Sequence, residues 1–261
     1  MSAQLLPPER RAVLAPMYEG FPGLHGMLHS ILEGVLGVAS VDDADRPRVA
    51  RLALDDFHCI AGDPEAPGAA KVLGEVPQGD HVAIPEAWRA RLLSLCDARP
   101  YDRFAFFAPE RWYRGDLVRL RGGLPEGFRL ARVTVEDVAP YRGLAESLVA
   151  NFKSNEDFLE RGVGFAITEE ASGRVVAGCA SYAISSHSLE FEIQTHPEYQ
   201  RRGLALVTGA AMIEYCLDHG LEACWDAAHE GSALLAERLG FVGRRPYVAY
   251  SIGEERPGPP G

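Results

Sequence analysis

The chain has 261 residues, of which 47% are hydrophobic and 24% charged, an ordinary balance for a globular protein of one large or two small domains. Its formal net charge of −11 argues against binding to nucleic acid or to an anionic membrane surface, because both partners are bound through clustered Lys and Arg. The sequence has neither an apolar run of about 18 residues, which a transmembrane helix needs, nor a basic and apolar N-terminal leader, so we expect a cytoplasmic protein.

The cysteines are interpreted as buried thiols in a reducing compartment. Their number is odd, no two of them form a C-x-x-C pair, and most lie in apolar runs. No Cys and His residues have the spacing of zinc ligands, so we expect no bound metal. The cysteines are Cys59, Cys96, Cys179, Cys216 and Cys224.

The first half of the chain is predicted to mix helices and strands. Apolar residues at helical spacing predict a helical region over 8–36 that is broken at 20–23, although Leu32 to Val41 is also compatible with the start of a strand. The other predicted elements of this half are a strand over 49–60, a Gly/Pro-rich loop over 61–68, a helix over 85–96 and a strand over 104–107.

A polar, Gly/Pro-rich segment at 119–127 is predicted to separate two domains, because it lies between two regions with regular hydrophobic patterns. We expect a smaller α/β domain over 1–122 and a second domain over 127–252. The segment 253–261 is rich in Pro, Gly and Glu and is expected to be a disordered tail.

The second half has a regular succession of predicted strands and helices. Residues 189–195 alternate apolar and polar side chains, as in a half-buried strand, and Leu206 to Leu217 follow a helical spacing that stops before Gly220. The other predicted elements are strands over 128–133, 163–168, 175–184 and 223–227, helices over 138–152 and 232–239, and a last strand that opens at Gly240-Phe241.

The most informative segment is Gln200-Arg201-Arg202-Gly203-Leu204-Ala205, which joins the 189–195 strand to the next helix. The first N–H groups of a helix have no partner within it and carry a partial positive charge, so two arginines here are unfavourable unless an anion binds. Gly203 lets the backbone and a ligand approach closely. The segment predicts a site for phosphate or pyrophosphate; the alternative is a solvated helix start that bears two arginines.

This segment resembles the Q/R-x-x-G-x-G/A loop that binds the acyl-CoA pyrophosphate in the GCN5-related N-acetyltransferases, the GNAT superfamily. Residues 196–199 are similar to the V-x-P-x-Y turn of that family, and residues 229–241 to its N-x-x-A-x-x-L-Y-x-K-L-G-F segment. The resemblance implies an α/β fold of the GNAT type, with a central mixed, mostly antiparallel sheet flanked by helices. The N-terminal domain is then a smaller α/β domain or a degenerate copy of the same fold.

The last of these segments departs from the family pattern at two positions. His229 stands where the family usually has Asn, and Ala236 stands where it often has the Tyr that protonates the leaving thiolate of CoA. The variant W-D-A-x-x-E-x-S-x-x-L-A-E-x-L-G-F, which begins at Trp225, resembles the zwittermicin-resistance-type acetyltransferases. The identity of the general acid is therefore left open.

The resemblance implies transfer of an acetyl group from acetyl-CoA to a primary amine of a small molecule, by direct attack in a ternary complex. Backbone N–H groups of Arg201 to Ala205 would hold the pyrophosphate, and an N–H near Gln194 or Thr195 would stabilise the thioester oxygen as negative charge develops. The residues expected to contact this co-substrate are Ile193, Gln194, Thr195, Gln200, Arg201, Arg202, Gly203, Leu204, Ala205, His229 and Ser232.

A carboxylate is expected to remove a proton from the incoming ammonium, which typically contributes about 10²- to 10⁴-fold. Glu190 and Glu192 are two residues apart, so they share one face of the predicted strand. If that face lines the active-site cleft, Glu192 is the first candidate for the base and Glu190 the second. The alternative is a strand face with ordinary solvent-exposed carboxylates, and His196 is interpreted as a turn residue.

Two other functions are compatible with these patterns. The missing Tyr at position 236 fits a non-catalytic acyl-CoA-binding or regulatory module, which would bind CoA without turnover. A protein or peptide N-acetyltransferase would need an open groove for its acceptor. In each case the sequence allows a monomer or a homodimer.

Overall fold

The computed structural model describes residues 3–253, so the predicted tail over 253–261 lies outside the described residues except for Gly253. The chain forms two compact units. One comprises the chain up to Ala105 together with the chain from Arg245 onward, and the other comprises Phe106–Arg244. The last part of the chain therefore belongs to the first unit.

The two halves of the chain repeat one order of elements. The first half contains β1 (Gln4–Leu6), a 3₁₀ helix (Pro8–Tyr18), α1 (His25–Leu32), β2 (Val38–Val41), β3 (Val49–Leu54), β4 (Phe57–Gly62), α2 (Ala69–Leu73), β5 (His81–Ala83), a 3₁₀ turn (Glu86–Trp88) that leads into α3 (Arg89–Leu95), and β6 (Ala98–Phe107). The second half follows the connecting helix α4 (Arg114–Arg121). It contains β7 (Phe128–Arg132), α5 (Val138–Leu144), a 3₁₀ turn (Glu146–Leu148), α6 (Asn155–Arg161), β8 (Gly164–Glu169), β9 (Val175–Ile184), β10 (Ser188–Thr195), a 3₁₀ turn (Pro197–Tyr199), α7 (Leu204–His219), β11 (Glu222–Ala227), α8 (Glu230–Leu239) and β12 (Val242–Ile252).

The sheet of the first unit has the strand order β1-β2-β3-β4-β5-β12-β6. Its first four strands pair antiparallel, β4 and β5 pair parallel, and β12 pairs antiparallel with β5. Apolar side chains that include Val49, Ile60, Trp88 and Leu92 pack into a core under the helices. The strand β12, at the end of the chain, is therefore an interior strand of the first unit.

A buried polar network connects four segments of the first unit: β2, β3, β4 and the loop before β5. The Nη1 atom of Arg51 lies 3.2 Å from His58 Nδ1, and the Nε atom of Arg51 donates to Ser40 Oγ at 3.0 Å. His58 Nε2 lies 2.9 Å from a carboxylate oxygen of Asp80. Burial lowers the pKa of His58, although the hydrogen bond to Asp80 opposes the shift.

The sheet of the second unit runs in the order β11-β10-β9-β8-β7. The strands from β7 to β10 pair antiparallel, and β10 and β11 pair parallel. Gly178 on β9 permits close packing of α5, because a Cβ atom there would lie 2.5 Å from the ring of Tyr141. The predicted fold class, a mixed and mostly antiparallel sheet flanked by helices, is confirmed.

The predicted helix over 138–152 is wrong in its extent. The helix α5 ends at Leu144, because Ala145 takes an extended backbone with φ −160° and ψ 131°. A separate 3₁₀ turn follows, and then α6, which the sequence analysis missed. The side chain of Ser154 caps α6 by accepting a hydrogen bond from the N–H of Asp157. This break brings the turn at 146–148 against β9 and β10.

Two predictions in the first half are also corrected. The predicted strand over 49–60 is a hairpin of β3 and β4, because Asp55 adopts a left-handed turn conformation with φ 52°. The strand predicted over 104–107 begins at Ala98.

The segment 119–127 contains the end of α4 and the turn into β7, whereas the compact units divide after Ala105 and Arg244. The domain limits 1–122 and 127–252 stay a prediction, because compactness within one chain does not test which segment folds alone.

Candidate active site

The strands β10 and β11 diverge within the second unit. They pair from Ser188–Glu222 to Glu190–Cys224 and not beyond, so the residues from Phe191 to Thr195 are not paired with β11. On its other edge, β10 remains paired with β9 as far as Thr195. A stretch of strand edge therefore faces an opening, and an extended ligand could bind along it as an added strand does.

The loop that follows β10 ends at an uncapped helix. Gly203 is the N-cap of α7 in a left-handed conformation with φ 81°, and no side chain of the described residues caps the helix. Within residues 3–253, no acceptor is found for the backbone N–H groups of Arg201 to Ala205. A Cβ atom on Gly203 would meet no atom of the described part of the chain within 4 Å. Leu204 is buried in the apolar cluster below and anchors the start of the helix. The loop thus offers unpaired donors beside free space.

The two arginines of this loop lie at the surface. Arg201 is held with φ 61°, a conformation that non-glycine residues rarely adopt. The guanidinium of Arg202 lies over the ring of Tyr199 at 5.0 Å, and its Nη2 donates to the carbonyl of Glu198 at 3.2 Å. Both arginines thus lie next to the start of α7, where positive charge favours an anion.

Thr195 and Gln200 lie at the junction of β10 and this loop. The hydroxyl of Thr195 is buried and has no hydrogen-bond partner in the part of the chain that the structure describes. Gln200 Nε2 lies 3.5 Å from the carbonyl of Thr195. A buried polar atom without a partner is costly unless a ligand or water supplies one, so the junction suits a polar ligand.

The two candidate bases differ in their surroundings. Glu190 is buried, with 3% of its surface exposed, whereas Glu192 is partly exposed. Glu192 Oε1 accepts hydrogen bonds from Ser147 Oγ and from Gln194 Nε2, both at 2.8 Å. These two donors orient the carboxylate of Glu192 on the strand next to the 146–148 turn. The interpretation of this face as an ordinary solvent-exposed surface does not hold for Glu190.

Ser147 is a residue of the candidate site that the sequence did not indicate. It lies in the 3₁₀ turn that was predicted as part of a continuous helix, and no motif marks it. Its contact with Glu192 joins residues 45 positions apart in the chain. Nearby, the phenol of Tyr141 is fully buried, and this burial raises its pKa well above the usual value, so it stays neutral.

His229 and Ser232 lie together at the start of α8. The Nδ1 atom of His229 accepts a hydrogen bond from the backbone N–H of Ser232 at 3.2 Å, so the imidazole caps the helix. The hydroxyl of Ser232 accepts from the indole N–H of Trp225 at 3.2 Å. Ala236 is fully buried one turn further on. Both predicted contact residues therefore also have structural roles.

The family of the chain follows from a comparison with known protein families. The sequence pattern that defines the GNAT acetyltransferases matches residues 18–250. The chain belongs to the GNAT acetyltransferase family. Membership confirms the superfamily resemblance and indicates an acyltransferase, with acetyl transfer as the activity typical of the family. The match spans both halves of the chain.

Solved structures resemble this GNAT acetyltransferase over almost its entire length. A GCN5-related N-acetyltransferase-like protein from Streptococcus suis 89/1591 is 28% identical, covers 94% of this chain and 98% of its own, and superposes with a TM-score of 0.81. A GCN5-related N-acetyltransferase from Kribbella flavida is 19% identical over 95% of this chain and 96% of its own, with a TM-score of 0.58. A tandem GNAT protein from the clavulanic acid biosynthesis pathway is 11% identical over 98% of this chain and 99% of its own, with a TM-score of 0.62. The last two show the fold alone.

No protein of curated function matches the chain significantly. Within residues 3–253, no helix of this GNAT acetyltransferase is long and apolar enough to cross a bilayer. Across the same residues, no three His, Cys, Asp or Glu side chains are grouped as metal ligands would be.

Proposed function

We propose that this protein transfers an acetyl group from acetyl-CoA to a primary amine of a small molecule, by direct attack in a ternary complex. The observation that carries the proposal is the opening between β10 and β11, which leads to the uncapped start of α7. The open edge of β10 suits an extended arm, and the uncapped start of α7 suits a pyrophosphate. In acetyl-CoA these two groups are joined. Acetyl-CoA supplies a thioester, whose C–S bond breaks as the amine nitrogen forms the new C–N bond.

The residues present fit such a co-substrate. The N–H groups of Arg201 to Ala205 lack partners, the space beside Gly203 is free, and the hydroxyl of Thr195 is unpartnered within residues 3–253. We assign the pyrophosphate to the 200–205 loop and the pantetheine arm to Ile193, Gln194 and Thr195. The exposed Nε2 side of His229 is assigned to a further cofactor contact, since Nδ1 is engaged in capping.

Glu192 is proposed to take the proton from the incoming ammonium. Two donors hold its carboxylate, and this preorganisation favours a positioned base over a freely rotating one. Glu190 is the second candidate, although its burial limits its access to an acceptor. An alanine at position 236 leaves no tyrosine there to protonate the thiolate, an observation that also favours the alternative of a binding module without turnover.

Three further assignments belong to the proposal. The pattern from Trp225 to Phe241 supports the zwittermicin-resistance-type branch. The repeated order of elements and the fold likeness to a tandem GNAT protein support a degenerate GNAT-like first half. All five cysteines are free thiols, which suits the reducing cytoplasm.

The test combines binding with turnover. Acetyl-CoA binding is measured by calorimetry, and thiol release is then followed across a panel of small primary amines. We expect Glu192→Gln to lower kcat by about 10²- to 10⁴-fold without changing the affinity for acetyl-CoA, because only proton transfer is removed. Glu222→Gln, at an exposed glutamate on β11, is the matched control and keeps wild-type kcat. Binding without turnover of any amine would favour the non-catalytic module, and no binding would contradict both.

A further inference from the structure

A second recognition feature lies at the end of the strand face that carries Glu192. A cavity of about 220 Å³ opens there, between α5 and the end of β10, and its lining includes Leu144, Arg174 and His196. This volume is too small for a whole drug-sized ligand, which needs about 300–1,000 Å³, and suits one end of a molecule.

The cavity continues the row of side chains that contains the proposed base. Glu192, Gln194 and His196 are spaced two residues apart, and the N–H of His196 still donates to the carbonyl of Val176 at 2.8 Å, so the strand pairing extends that far. Ser147, which bonds Glu192, follows shortly after Leu144, which lines the cavity. A strand rises about 3.3 Å per residue, so the cavity lies about 13 Å along the strand from Glu192.

The polar chemistry of the cavity centres on Arg174. Its Nη2 atom lies 2.6 Å from His196 Nε2, and its Nη1 atom lies 3.5 Å from Glu198 Oε2. A guanidinium has five N–H donors, so most of its donor capacity is not used by these two contacts. The ion pair with Glu198 is long, and the Glu198 side chain is 72% exposed. The remaining lining residues are Pro140, Gly143, Gly173 and Val175, which carry no charge.

We propose that this cavity binds the carboxylate of the acceptor, and that the acceptor is an extended amino acid derivative or short peptide whose amine lies about 10–13 Å from that carboxylate. Arg174 supplies charge-assisted hydrogen bonds, and the row from His196 to Glu192 sets the length of the molecule. The inference rests on the proposed acetyl transfer, for which it names the class of substrate.

The test uses tetraglycine as the probe. An extended tetrapeptide spans at most about 13–14 Å, which matches the distance from Glu192 to the cavity. Binding of tetraglycine, its C-terminal amide and diglycine to the full chain loaded with CoA is measured by calorimetry, and kcat/KM is measured for each with acetyl-CoA. The Arg174 side chain is about half exposed, so its contact with a carboxylate is partly screened, and we expect tetraglycine to be favoured about 2- to 5-fold over its amide, and also over the shorter diglycine.

Two variants assign that preference to the cavity. Arg174→Gln should remove the advantage of the acid over the amide and leave the affinity for acetyl-CoA unchanged. Glu198→Gln should strengthen binding of the acid, because it removes a competing carboxylate. Arg129→Gln, at an exposed arginine on β7, is the control and should match the wild type.

The outcomes separate this inference from the proposed function. If acetyl-CoA binds and simple amines are acetylated, but the acid has no advantage or no peptide binds, the carboxylate site is wrong and acetyl transfer stands. If Arg174→Gln weakens acetyl-CoA instead of the peptide acid, the cavity serves the co-substrate and the inference is overturned. If acetyl-CoA itself does not bind, the proposed function fails, and the inference that depends on it fails too.

Discussion

The loops that follow β4 and β10 occupy the same place in the two halves of the chain, but they differ in what fills them. Gly68 and Gly203 are the residues before α2 and α7. A Cβ atom on Gly68 would lie 2.2 Å from the Cβ atom of Asp42, whereas a Cβ atom on Gly203 would meet no atom of residues 3–253 within 4 Å. The first half thus places its own acidic side chain where the second half leaves space for a ligand.

The two loops also differ in charge, because the first is acidic and the second is basic. The first loop carries Asp63, whose carboxylate accepts from the N–H of Glu65 at 2.9 Å and from Arg48 at 2.5 Å. These hydrogen bonds, that from Glu65 foremost, lower the pKa of Asp63. The second loop carries Arg201 and Arg202 beside N–H groups for which the described part of the chain supplies no acceptor. A repeated order of elements therefore does not repeat a site, because the two loops carry opposite charges close to the start of their helices.

The largest effect on acetyl-CoA affinity is expected from Gly203→Glu. This substitution places a negative charge in the second loop, as the first loop already has. The carboxylate would occupy the free space and repel the pyrophosphate, so we expect at least a 100-fold loss of acetyl-CoA affinity, about 2.7 kcal/mol or more. Calorimetry on the purified protein measures this loss.

Gly203→Ala is the matched control for that substitution. Both variants force a side chain onto a backbone with φ 81°, which costs roughly 1–2 kcal/mol of stability, but only one adds charge. Equal losses of acetyl-CoA affinity in the two variants would mean that the loop conformation, rather than its free space, decides binding.

A smaller effect is expected when Arg201 and Arg202 are both replaced by Gln. The backbone donors remain and only the exposed side-chain charges are lost, so affinity for acetyl-CoA should fall about 10-fold. The dependence of binding on salt should also become shallower. Asp63→Asn with Glu65→Gln in the first loop is the control, and a change of affinity in that variant would contradict the assignment of the site to the second half alone.

The smallest expected effect is on the pH dependence of the free energy of unfolding, through His58 in the first half. Burial lowers the pKa of His58 in the folded protein, so below about pH 6.5 the unfolded chain binds a proton that the folded chain does not. The free energy of unfolding should therefore fall as pH drops below that value, and His58→Gln should flatten the slope. Urea unfolding between pH 5 and 8 measures the slope, with the exposed His219→Gln as the control. An unchanged slope in His58→Gln would show that other groups cause the pH dependence.

Local patterns were sufficient to predict much of the second half. The alternation over 189–195, the loop at 200–205 and the end of α7 at Gly220 depend on neighbouring residues, and the structure has the strand, the loop and a left-handed Gly220 there. These features are set by backbone preferences within a few residues, which a sequence displays directly.

Contacts between distant residues could not be predicted in this way. Ser147 meets Glu192 only because the backbone becomes extended at Ala145, and the sequence had predicted a helix through that point. The cavity at Arg174 joins residues from a turn, a helix and the end of a strand. The role of Asp42 beside Gly68 also depends on the register of β2 and β3, which hydrophobic alternation alone does not set.

The place of β12 has a consequence for how the chain is made. Its residues from Arg245 onward belong to the first unit, where they lie between β5 and β6. On the ribosome, residues 4–105 emerge long before β12, so two strand edges of that unit stay open until β12 has been translated. Unpaired edges invite association with other chains, and a nascent chain of this protein is therefore most exposed to aggregation during the time in which its second half is being translated.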